Sequence, residues 1–590
     1  MCGIWLLIDK DRKYQSAELV ASLVANSHQI SQRGPDYHSF ETYPTSNVDG
    51  ATVHVGFHRL AIVNSSLYGN QPFVIEQDNR TIVFICNGEI YNWEWIRDAN
   101  QFDCTNDCMV IPLLYMKNPD TFEDAVAKLK GEFAFVLVEF VHQSGVHSQS
   151  GVHSQSGDLV LSKVIAARDQ IGVRPLYYNP YELFFTSEVK GAPATIEVEE
   201  FPPGKIYTFF MNNMFHVTNF ASVYDVTPIN ESEAVHLQSV RMSVMNAVNR
   251  RLHASKPFAY LLSGGIDSSL VAALGAFHSH VPIKTFCCSI KEGTYQIGTS
   301  PQFTTGPGTD LLHAREVAKH IRSDHTEVFF TPQEGLDAIE DVIRTIESWD
   351  TTTVRASVGQ YMVCKWISQN TDCKVVMVGE GPDEVCSSYL FNWYAPNGEA
   401  LEQSAKDYVK NIHYYDVKRA DRCISRWGLE GRVPLLDPEF IRAYWKIPGE
   451  LRVPSKKGIE KWWLRAAFSP QVMDRGEPFT SQGLLPESVR LRKKEAFSDG
   501  VSNTKSWFEM IQDFVDDKVS AEDLTGAAER YPYCTPQTKE AYYYRQIFER
   551  LFPGRARIIP GFWQPKWLAN GEEVKGYVDP SARTLSVYGQ

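Results

Sequence analysis

The sequence predicts two domains of different fold class. Residues 1–220 are expected to form an α+β domain built on a β-sandwich, and residues 235–560 an α/β domain with a doubly wound parallel sheet. Up to about residue 220, short β-branched and aromatic runs alternate with turn residues, which is typical of strands. Beyond residue 225, helix-period segments alternate with short apolar runs, which favours parallel strands joined by helices. Residues 561–590 are predicted to be a C-terminal tail.

Six runs predict the strands of the first domain: HVGFHRLAIV, RTIVFICNGEIYN, GEFAFVLVEF, GDLVLSKVIAARD, LFFTSEV and KIYTFFM. Between the third and the fourth lies an internal repeat, GVHSQS at 145–150 and again at 151–156. Because the repeat is polar and falls between two strand signals, it is predicted to be an expanded hairpin loop.

The second domain begins with the helix-period segment SEAVHLQSVRMSVMNAVNRRL. It is followed by the strand-like run FAYLL, the helix-like run SSLVAALGAF, and the strand-like runs IKTFCCSI and KVVMV. This alternation predicts the parallel sheet. Residues 291–309 are rich in Gly, Thr and Pro without periodicity, and are predicted to be a surface loop.

Composition excludes several classes of protein. The 590 residues are 43% hydrophobic and 22% charged, which is typical of a globular protein and not of a disordered one. With 58 Lys and Arg against 71 Asp and Glu, the net charge of −13 argues against nucleic acid as a partner. No run approaches the roughly 20 apolar residues of a membrane span, and the start is unlike a secretory signal. We therefore expect no membrane partner and a cytoplasmic location.

The eleven cysteines are too scattered for a disulfide scaffold. Two pairs, Cys104 with Cys108 and Cys287 with Cys288, are close in sequence, but neither has a second Cys or His pair at zinc spacing. We expect most of these cysteines to be buried thiols.

A first set of candidate catalytic residues lies in the N-terminal domain. Removal of Met1 would make Cys2 the N-terminus, so that one residue supplies a thiol and, in its α-amine, a base. Asn87 and Gly88 follow a strand-like run, and a side-chain amide beside a backbone N–H is the donor pair of an oxyanion hole. Arg59 lies among apolar residues and needs a carboxylate partner. A turn at Asn87 and a structural ion pair at Arg59 are the alternatives.

These residues stand in motifs that resemble the class II glutamine amidotransferases, whose nucleophile is an N-terminal cysteine: MCGIW, RGPD, GFHRLAIV, CNGEIYN, GEFAF and RDQIGVRPLYY. The resemblance implies that Cys2 attacks the glutamine amide while Asn87 and Gly88 hold the oxyanion. It implies the following glutamine-binding residues: Arg59, Leu60, Ala61, Ile62, Val63, Asn87, Gly88, Glu89 and Asp107. Gln32 and Met109 depart from the family pattern, which usually has His and Glu there.

The segment SGGIDSS, residues 263–269, is a candidate phosphate-binding loop. It lies between an apolar strand and a helix, so that glycine backbone, successive N–H groups, hydroxyls and a helix N-terminus would face an anion. Asp267 would repel phosphate unless it held Mg²⁺ against it. An ordinary Gly-Gly turn is the alternative.

The segment GEGPDE, residues 379–384, places three carboxylates after another predicted strand, where open α/β sheets bind ligands. One could bind metal and another could move a proton; a solvated acidic turn is the alternative. Lys461 and Arg355 are candidates for neutralising phosphate and carboxylate, although isolated basic side chains are usually solvated.

Together with ESWDTTTVRAS, GLEGRVPLLD, GIEKWWLR, KKEAFSDG, YPYCTPQTKEAYYYRQIFERLFPG and DPSARTL, these segments resemble the glutamine-hydrolysing asparagine synthetases. The resemblance implies that aspartate is adenylated by ATP to β-aspartyl-AMP, with release of pyrophosphate. Ammonia, passed from the first active site to the second, then displaces AMP to form asparagine. The implied substrates are L-glutamine, L-aspartate and ATP, with Mg²⁺ and a homodimeric assembly.

The same resemblance implies roles in the second domain. Glu380 would act in the aspartyl-adenylate step, Asp267 and Asp383 would hold Mg²⁺, and Thr352 and Arg355 would bind aspartate. The implied ATP and pyrophosphate contacts are Leu261, Ser263, Gly264, Gly265, Asp267, Ser268, Cys288, Val378, Gly379 and Lys461. Four residues depart from the family pattern: Cys288, Val378, Pro382 and Gly431.

Two alternative functions stay open at the level of sequence. A related adenylating ligase with another acceptor, such as a β-lactam synthetase-like enzyme, would generally lack the N-terminal cysteine, and Cys2 is present. A degenerate homologue kept as an interaction protein would lack reactive groups, and Cys2, Asp267 and Glu380 are present. A glutaminase alone is disfavoured by the intact loop at 263–269.

Overall fold

The computed structural model describes residues 1–46, 50–142, 159–211, 214–220, 222–291, 293–297, 300–304, 308–470, 483–494, 500–501 and 505–578. The chain divides into two compact units. Unit 1 comprises Met1–Ser222 and His253–Ser255, and unit 2 comprises Val223–Leu252 and Lys256–Gln590. Among the described residues, no helix has the length and apolar character needed to cross a membrane.

Unit 1 contains two antiparallel sheets of six strands each. The strands are β1 Gly3–Asp9, β2 Tyr37–Pro44, β3 Thr52–Arg59, β4 Phe73–Gln77, β5 Arg80–Ile90, β6 Gly131–His142, β7 Leu159–Arg168, β8 Tyr177–Asn179, β9 Phe184–Thr186, β10 Glu199–Glu200, β11 Lys205–Phe210 and β12 Phe215–Asn219. One sheet has the order β10-β8-β9-β1-β3-β2 and the other β12-β11-β7-β6-β5-β4. Each of the six predicted runs contains a strand, and the predicted sandwich is confirmed.

The helices of unit 1 are α1 Ala17–His28, α2 Trp93–Asn100, α3 Val110–Lys117 and α4 Phe122–Val126. Alternation along the strands explains the layers. In β1, Ile4 and Leu6 face the second sheet, whereas Trp5 packs against Leu23 of α1. In β5, Ile85 faces the first sheet, whereas Phe84 and its alternate neighbours pack with α2, α3 and α4. Unit 1 therefore has four layers, helix, sheet, sheet and helix.

The GVHSQS repeat falls between β6 and β7, outside the described residues. These strands are antiparallel neighbours, and their pairing ends at His142 opposite Leu159. The repeat therefore connects two adjacent strand ends.

Unit 2 is built on a parallel sheet of five strands with the order β17-β14-β13-β18-β19. The strands of unit 2 are β13 Phe258–Leu261, β14 Lys284–Ile290, β15 Gly293–Ile297, β16 Ser300–Thr304, β17 Asp324–Phe330, β18 Val375–Met377 and β19 Glu430–Arg432. The parallel sheet predicted from sequence is confirmed. Because β13 has β14 on one side and β18 on the other, the chain reverses its direction of winding there, which is where such sheets bind ligands.

The loop predicted over 291–309 is wrong in its centre. Strands β15 and β16 pair there as a two-stranded antiparallel sheet, from Gly293 opposite Thr304 to Ile297 opposite Ser300. The segments GTYQI and SPQFT contain Thr, Tyr, Ile and Phe, which favour strands, but they are too short for a clear alternation.

The helices of unit 2 lie between and around these strands. They are α5 Glu233–Arg250, α6 Ile266–His278, α7 Thr309–Ile321, α8 Pro332–Asp337, α9 Ile339–Ile346, α10 Thr351–Asn370, α11 Pro382–Val385, α12 Gly398–Asn411, α13 Asp416–Ser425, α14 Pro438–Trp445, α15 Gly449–Arg452, α16 Pro454–Lys457, α17 Trp462–Ala467, α18 Glu487–Arg490, α19 Trp507–Asp516, α20 Ala521–Thr525, α21 Ala527–Arg530 and α22 Lys539–Leu551. Of the predicted tail, residues 561–578 are described, whereas the DPSARTL segment lies outside the described residues.

Candidate active sites

Asn87 and Gly88 lie inside β5 and do not follow it, so their predicted place after the strand is corrected. Gly88 pairs with Phe133 of β6, and a Cβ on Gly88 would lie 2.7 Å from Glu132 O. Glycine is therefore required by the close approach of β6. The Gly88 carbonyl accepts a hydrogen bond from Cys108 Sγ at 3.4 Å, so the polar groups of Gly88 point away from β6.

The N–H of Gly88 lies on the edge of β5 that faces away from β6. On the same edge of β5, Cys86 N donates to Gln71 Oε1 (2.6 Å) and Ile90 N donates to Asp107 Oδ2 (2.9 Å). Alternate residues of a strand point their N–H groups the same way, so Gly88 N faces this edge, between two N–H groups that side chains satisfy.

The side chain of Asn87 is fully buried, and within the described residues neither Oδ1 nor Nδ2 has a hydrogen-bond partner. Two residues beyond Ile85, it points between the sheets, where Cys2 also packs. A buried amide without a partner is costly in a core, which favours a ligand-binding role.

Cys2 immediately precedes β1, and its Sγ lies 3.8 Å from Leu60 O. Arg33 of the RGPD segment donates from Nε to Cys2 O (2.9 Å) and pairs with Glu188 at 2.6 Å, both side chains being at most 2% exposed. This buried ion pair fixes the position of Cys2, a role the sequence did not indicate for Arg33. Gln32 donates to the same Glu188 carboxylate at 3.2 Å.

The carboxylate partner expected for Arg59 is not a protein group in the part of the chain that the structure describes. Its Nη1 donates to Ser66 O (2.7 Å) and to Asn70 Oδ1 (2.6 Å), and its Nη2 to Asn64 O. Burial lowers the pKa of Arg59, while the nearby acidic groups, including Asp107, oppose that shift. The three partners are neutral oxygens, so they do not cancel the charge of the guanidinium. That charge therefore suits an anionic ligand.

The remaining predicted glutamine-binding residues surround these groups. Glu89 and Asp107 are buried. Of the four apolar residues that follow Arg59, Val63 is partly buried, and the other three are buried: Leu60, Ala61 and Ile62. Met109, which departs from the family pattern, packs against the core beneath α2 and α3.

In unit 2 the structure brings most of the predicted residues to one cavity of about 390 Å³. Predicted residues that line it are Leu261, Ser263, Gly265, Asp267, Ser268, Cys288, Thr352, Arg355, Val378, Gly379, Glu380, Asp383 and Lys461. Gly264 does not line the cavity. It has φ of +73°, and a Cβ there would lie 2.5 Å from His313 Cβ, so its role is to turn the loop against α7.

The two predicted loops are in direct contact at the carboxyl ends of β13 and β18. A Cβ on Gly379 would lie 2.7 Å from Ser268 N, at the start of α6. Ser268 Oγ accepts from Ser263 N at 3.1 Å and closes the loop on itself. The loop, helix N-terminus and glycine backbone together form an anion-binding arrangement.

Two carboxylates and two lysines meet beside this loop. Lys461 Nζ contacts Asp267 Oδ2 and lies 2.6 Å from Asp383 Oδ1, and Lys494 Nζ lies 2.6 Å from Asp383 Oδ2. Burial opposes ionisation of Asp383, but both lysines together hold its pKa below the ordinary value. Asp267 Oδ1 is buried without a hydrogen-bond partner in the described part of the chain. No role for Lys494 was predicted, because a lysine in KKEAFSDG resembles a solvated one.

Glu380 is the third group of the site. Gln360 Nε2 donates to its Oε1 at 3.0 Å, and Arg419 Nη2 lies 3.7 Å from the same oxygen. Burial raises the pKa of Glu380, and Arg419 partly opposes the shift. Such a carboxyl is suited to proton transfer. Gln360 and Arg419 come from α10 and α13, and no motif marked them.

Both residues of the predicted aspartate-binding pair line the cavity, and Arg355 also has a protein partner. Arg355 donates from Nε (3.2 Å) and Nη2 (2.7 Å) to the carboxylate of Glu540, and its guanidinium lies over the ring of Phe508. Its two-pronged edge is therefore taken by a protein group and is not open to substrate. Thr352 Oγ1 lines the cavity, buried and without a partner within the described residues.

The four residues of unit 2 that depart from the family pattern each have a defined local setting. Pro382 is the first residue of α11, where its missing N–H costs no hydrogen bond. A Cβ on Gly431 would lie 2.7 Å from Ile424 Cδ1. Cys288 Sγ donates to Gly359 O at 3.5 Å, and burial raises the pKa of this thiol to about 12, so it stays protonated. Val378 is buried in the cavity wall.

Comparison with known proteins agrees with both units. The family model "Asparagine synthase" matches residues 239–406 and 395–571, and the model "Glutamine amidotransferase domain" matches residues 1–149. Proteins named asparagine synthetase [glutamine-hydrolyzing] from Gallus gallus, Mus musculus and Homo sapiens are each 36% identical to this chain, over 100% of it and 99% of their own lengths. The chain therefore belongs to the glutamine-hydrolysing asparagine synthetase family.

Proposed function

We propose that this chain synthesises L-asparagine from L-aspartate, using L-glutamine as nitrogen donor and cleaving ATP to AMP and pyrophosphate through β-aspartyl-AMP. The observation that carries the proposal is the meeting of the 263–269 loop, the Asp267 and Asp383 carboxylates and the buried Glu380 at one cavity. The names of its relatives support the same activity.

The chemistry proposed for unit 1 is glutamine hydrolysis. After removal of Met1, the Cys2 α-amine takes the thiol proton and Sγ attacks the amide carbon. The oxyanion that forms accepts hydrogen bonds from Asn87 Nδ2 and Gly88 N, and Arg59 binds the substrate carboxylate. Ammonia leaves, and water then releases glutamate from the thioester.

The chemistry proposed for unit 2 begins with adenylation. The β-carboxylate of aspartate attacks the α-phosphorus of ATP, and pyrophosphate leaves. Lys461 and Lys494 neutralise the charge that develops on the leaving group, and the 263–269 loop holds its phosphates. Adenylation is needed because a carboxylate has no leaving group that ammonia can displace.

Asp267 and Asp383 fit a magnesium ion. Their carboxylates converge on one lysine, and Asp267 Oδ1 is buried without a partner among the described residues, a donor set that suits a hard cation. When bound there, Mg²⁺ supplies charge neutralisation at the phosphates.

In the second step, ammonia attacks the acyl carbon and AMP leaves. Glu380 is proposed to take a proton from the incoming ammonium. Burial raises the pKa of Glu380 toward the working pH, where a general base is most effective. Gln360 and Arg419 fix the orientation of its carboxylate.

The wider setting is also part of the proposal. Within the described residues, none of the eleven cysteines forms a disulfide, which fits a reducing cytoplasm. The family resemblance further suggests a homodimer, which sedimentation equilibrium tests directly.

Exchange of labelled pyrophosphate into ATP tests the adenylation step. Exchange should require aspartate and Mg²⁺, should persist in Cys2→Ala, and should be lost in Asp383→Asn. Exchange that requires another carboxylate in place of aspartate would instead support the related ligase with a different acceptor.

A further inference from the structure

We propose that residues 561–567, which include Trp563, form a wall of the unit 2 cavity that keeps water from the aspartyl adenylate, so that ammonia takes the acyl group. The inference rests on the function proposed for unit 2 and concerns a segment predicted from sequence as a tail. Trp563 and Pro565 both line the cavity that contains Glu380.

The segment is fixed to unit 2 along its length. Its hydrogen bonds run from Tyr415 Oη to Gly561 O (3.1 Å), from Trp563 N to Asp350 Oδ1 (2.8 Å) and from Tyr408 Oη to Gln564 O (2.6 Å). Beyond them, Trp567 is 1% exposed in a core cluster with Phe391 and Leu401. The segment is therefore hydrogen-bonded and packed against the rest of unit 2, and is not a loosely attached tail.

Asp350 joins this wall to the helix that carries Thr352 and Arg355. Its Oδ1 accepts from Trp563 N, and its Oδ2 accepts from Thr353 N (2.8 Å) and Thr353 Oγ1 (2.7 Å) at the start of α10. The segment and the N-terminus of α10 therefore share one buried carboxylate, which fixes the wall relative to that end of the cavity.

The indole of Trp563 belongs to an aromatic group at the cavity. Its ring centroid lies 4.9 Å from that of Tyr389, edge to face, and 6.1 Å from that of Phe391, and all three residues line the cavity. Rings in this arrangement present apolar surface and offer water few hydrogen bonds.

A chain of polar contacts connects this aromatic group with the proposed base. Tyr389 Oη lies 3.3 Å from Asp416 Oδ2, Arg419 Nη1 lies 3.1 Å from Asp416 Oδ1, and Arg419 Nη2 lies 3.7 Å from Glu380 Oε1. Two side chains, Asp416 and Arg419, thus link Tyr389 of the aromatic group to Glu380, and all of these residues line the same cavity.

Chemistry makes such a wall necessary. Attack by ammonia on the acyl carbon forms a C–N bond and breaks the C–O bond to the phosphate, so that AMP leaves with the electron pair and one proton is released. Attack by water at the same carbon breaks the same bond, returns aspartate and AMP, and releases two protons. Only the second reaction consumes ATP without product, and excluding water suppresses it.

The amount of AMP formed per asparagine, with ammonia as nitrogen source, tests this inference. We expect a ratio near one in the wild type, and a rise of about threefold or more in Trp563→Ala and Trp563→Leu, because the smaller side chains admit water. Trp563→Phe, which keeps an aromatic face, should stay near the wild-type ratio.

Trp567→Phe is the matched control, because Trp567 is a buried indole of the same segment that does not line the cavity. It should lower thermal stability without raising the ratio. If Trp563→Leu keeps the wild-type ratio while the wild type makes asparagine, the wall is overturned and the proposed function stands. If the wild type forms no aspartate-dependent AMP, the proposed function fails and the wall fails with it.

Discussion

At the scale of single residues, Asn87 tests the chemistry of unit 1 most sharply, because its buried amide has no partner within the described residues. Replacing it with Ala should lower kcat for glutamine hydrolysis by about 10²–10³-fold, the usual cost of one oxyanion-hole donor, with a smaller change in KM. Steady-state release of glutamate measures both constants.

The control for this variant is asparagine synthesis from ammonia, which should stay at the wild-type rate in Asn87→Ala. Equal loss of the ammonia-dependent reaction would mean that the substitution disrupts the chain more widely, and Asn87 would then be structural.

His58 makes the stability of unit 1 depend on pH. Burial, with help from His38 and His28, lowers its pKa to about 3, whereas the unfolded value is about 6.5. The folded state therefore resists protonation, and stability that is present above pH 6.5 is lost as the pH falls from there toward 3. At pH 5.5 the loss should be about 1 kcal/mol relative to pH 7.

Hydrogen exchange of the β3 amides, corrected for intrinsic rates, measures this loss. His58→Gln should weaken the pH dependence, because Gln does not titrate, whereas burial also lowers the pKa of His54 in the same strand. Equal protection of the wild type at pH 7 and pH 5.5 would show that His58 does not control the opening of β3.

Single residues also show what sequence could predict. Cys2, Asn87, Asp267 and Glu380 stand in local motifs, where glycines and reactive groups occur together. Lys494 reaches the site from a distant segment, as do Gln360 and Arg419, and isolated polar residues of this kind resemble solvated ones until the fold brings them together.

At the scale of elements, the contact between the two loops of unit 2 predicts a selective effect. Gly379→Ala would place a Cβ 2.7 Å from Ser268 N, which forces the loops apart and disturbs the phosphate site. We expect loss of pyrophosphate exchange with unchanged glutamine hydrolysis.

Gly526→Ala is the matched control, because its nearest contact would be Glu522 O at 3.5 Å, an ordinary van der Waals distance. Both reactions should continue in that variant. Normal exchange in Gly379→Ala would mean that the loops tolerate separation, and that their contact does not shape the site.

Elements were predicted best where the strand was long enough to show several repeats of its hydrophobic alternation. The runs of β5 and β6 extend over 11 and 12 residues, and both were predicted as strands. The five-residue strands β15 and β16 were missed, because so short a run in a Gly- and Thr-rich segment shows no period. The hydrogen-bond partner of Arg355 could not be predicted either, because Glu540 lies on α22, far along the chain.

At the scale of the whole molecule, the internal repeat is predicted to be dispensable. It lies within residues 143–158, which join His142 to Leu159, and because these two residues are paired neighbours a much shorter link would close the hairpin. Deleting residues 151–156 should leave glutamine hydrolysis and pyrophosphate exchange within about twofold of the wild type. A large loss of either activity would give the repeat a role beyond connection.

The division into two fold classes was predictable because strand alternation over residues 1–220 and helix–strand alternation over residues 235–560 are different signals. What sequence did not indicate is how segments far apart in the chain meet in space. The 561–567 segment, predicted as a tail, lies against the cavity of unit 2 because its aromatic side chains have partners there.

The central claim is that one chain hydrolyses glutamine and uses its amide nitrogen to make asparagine. The most direct test is mass spectrometry of the wild type with Mg-ATP, aspartate and amide-¹⁵N glutamine. We predict labelled asparagine together with AMP and pyrophosphate in equal amounts, and no labelled asparagine from Cys2→Ala. Glutamate formed without AMP or asparagine would contradict the claim, and would leave unit 1 as a glutaminase without the synthesis proposed for unit 2.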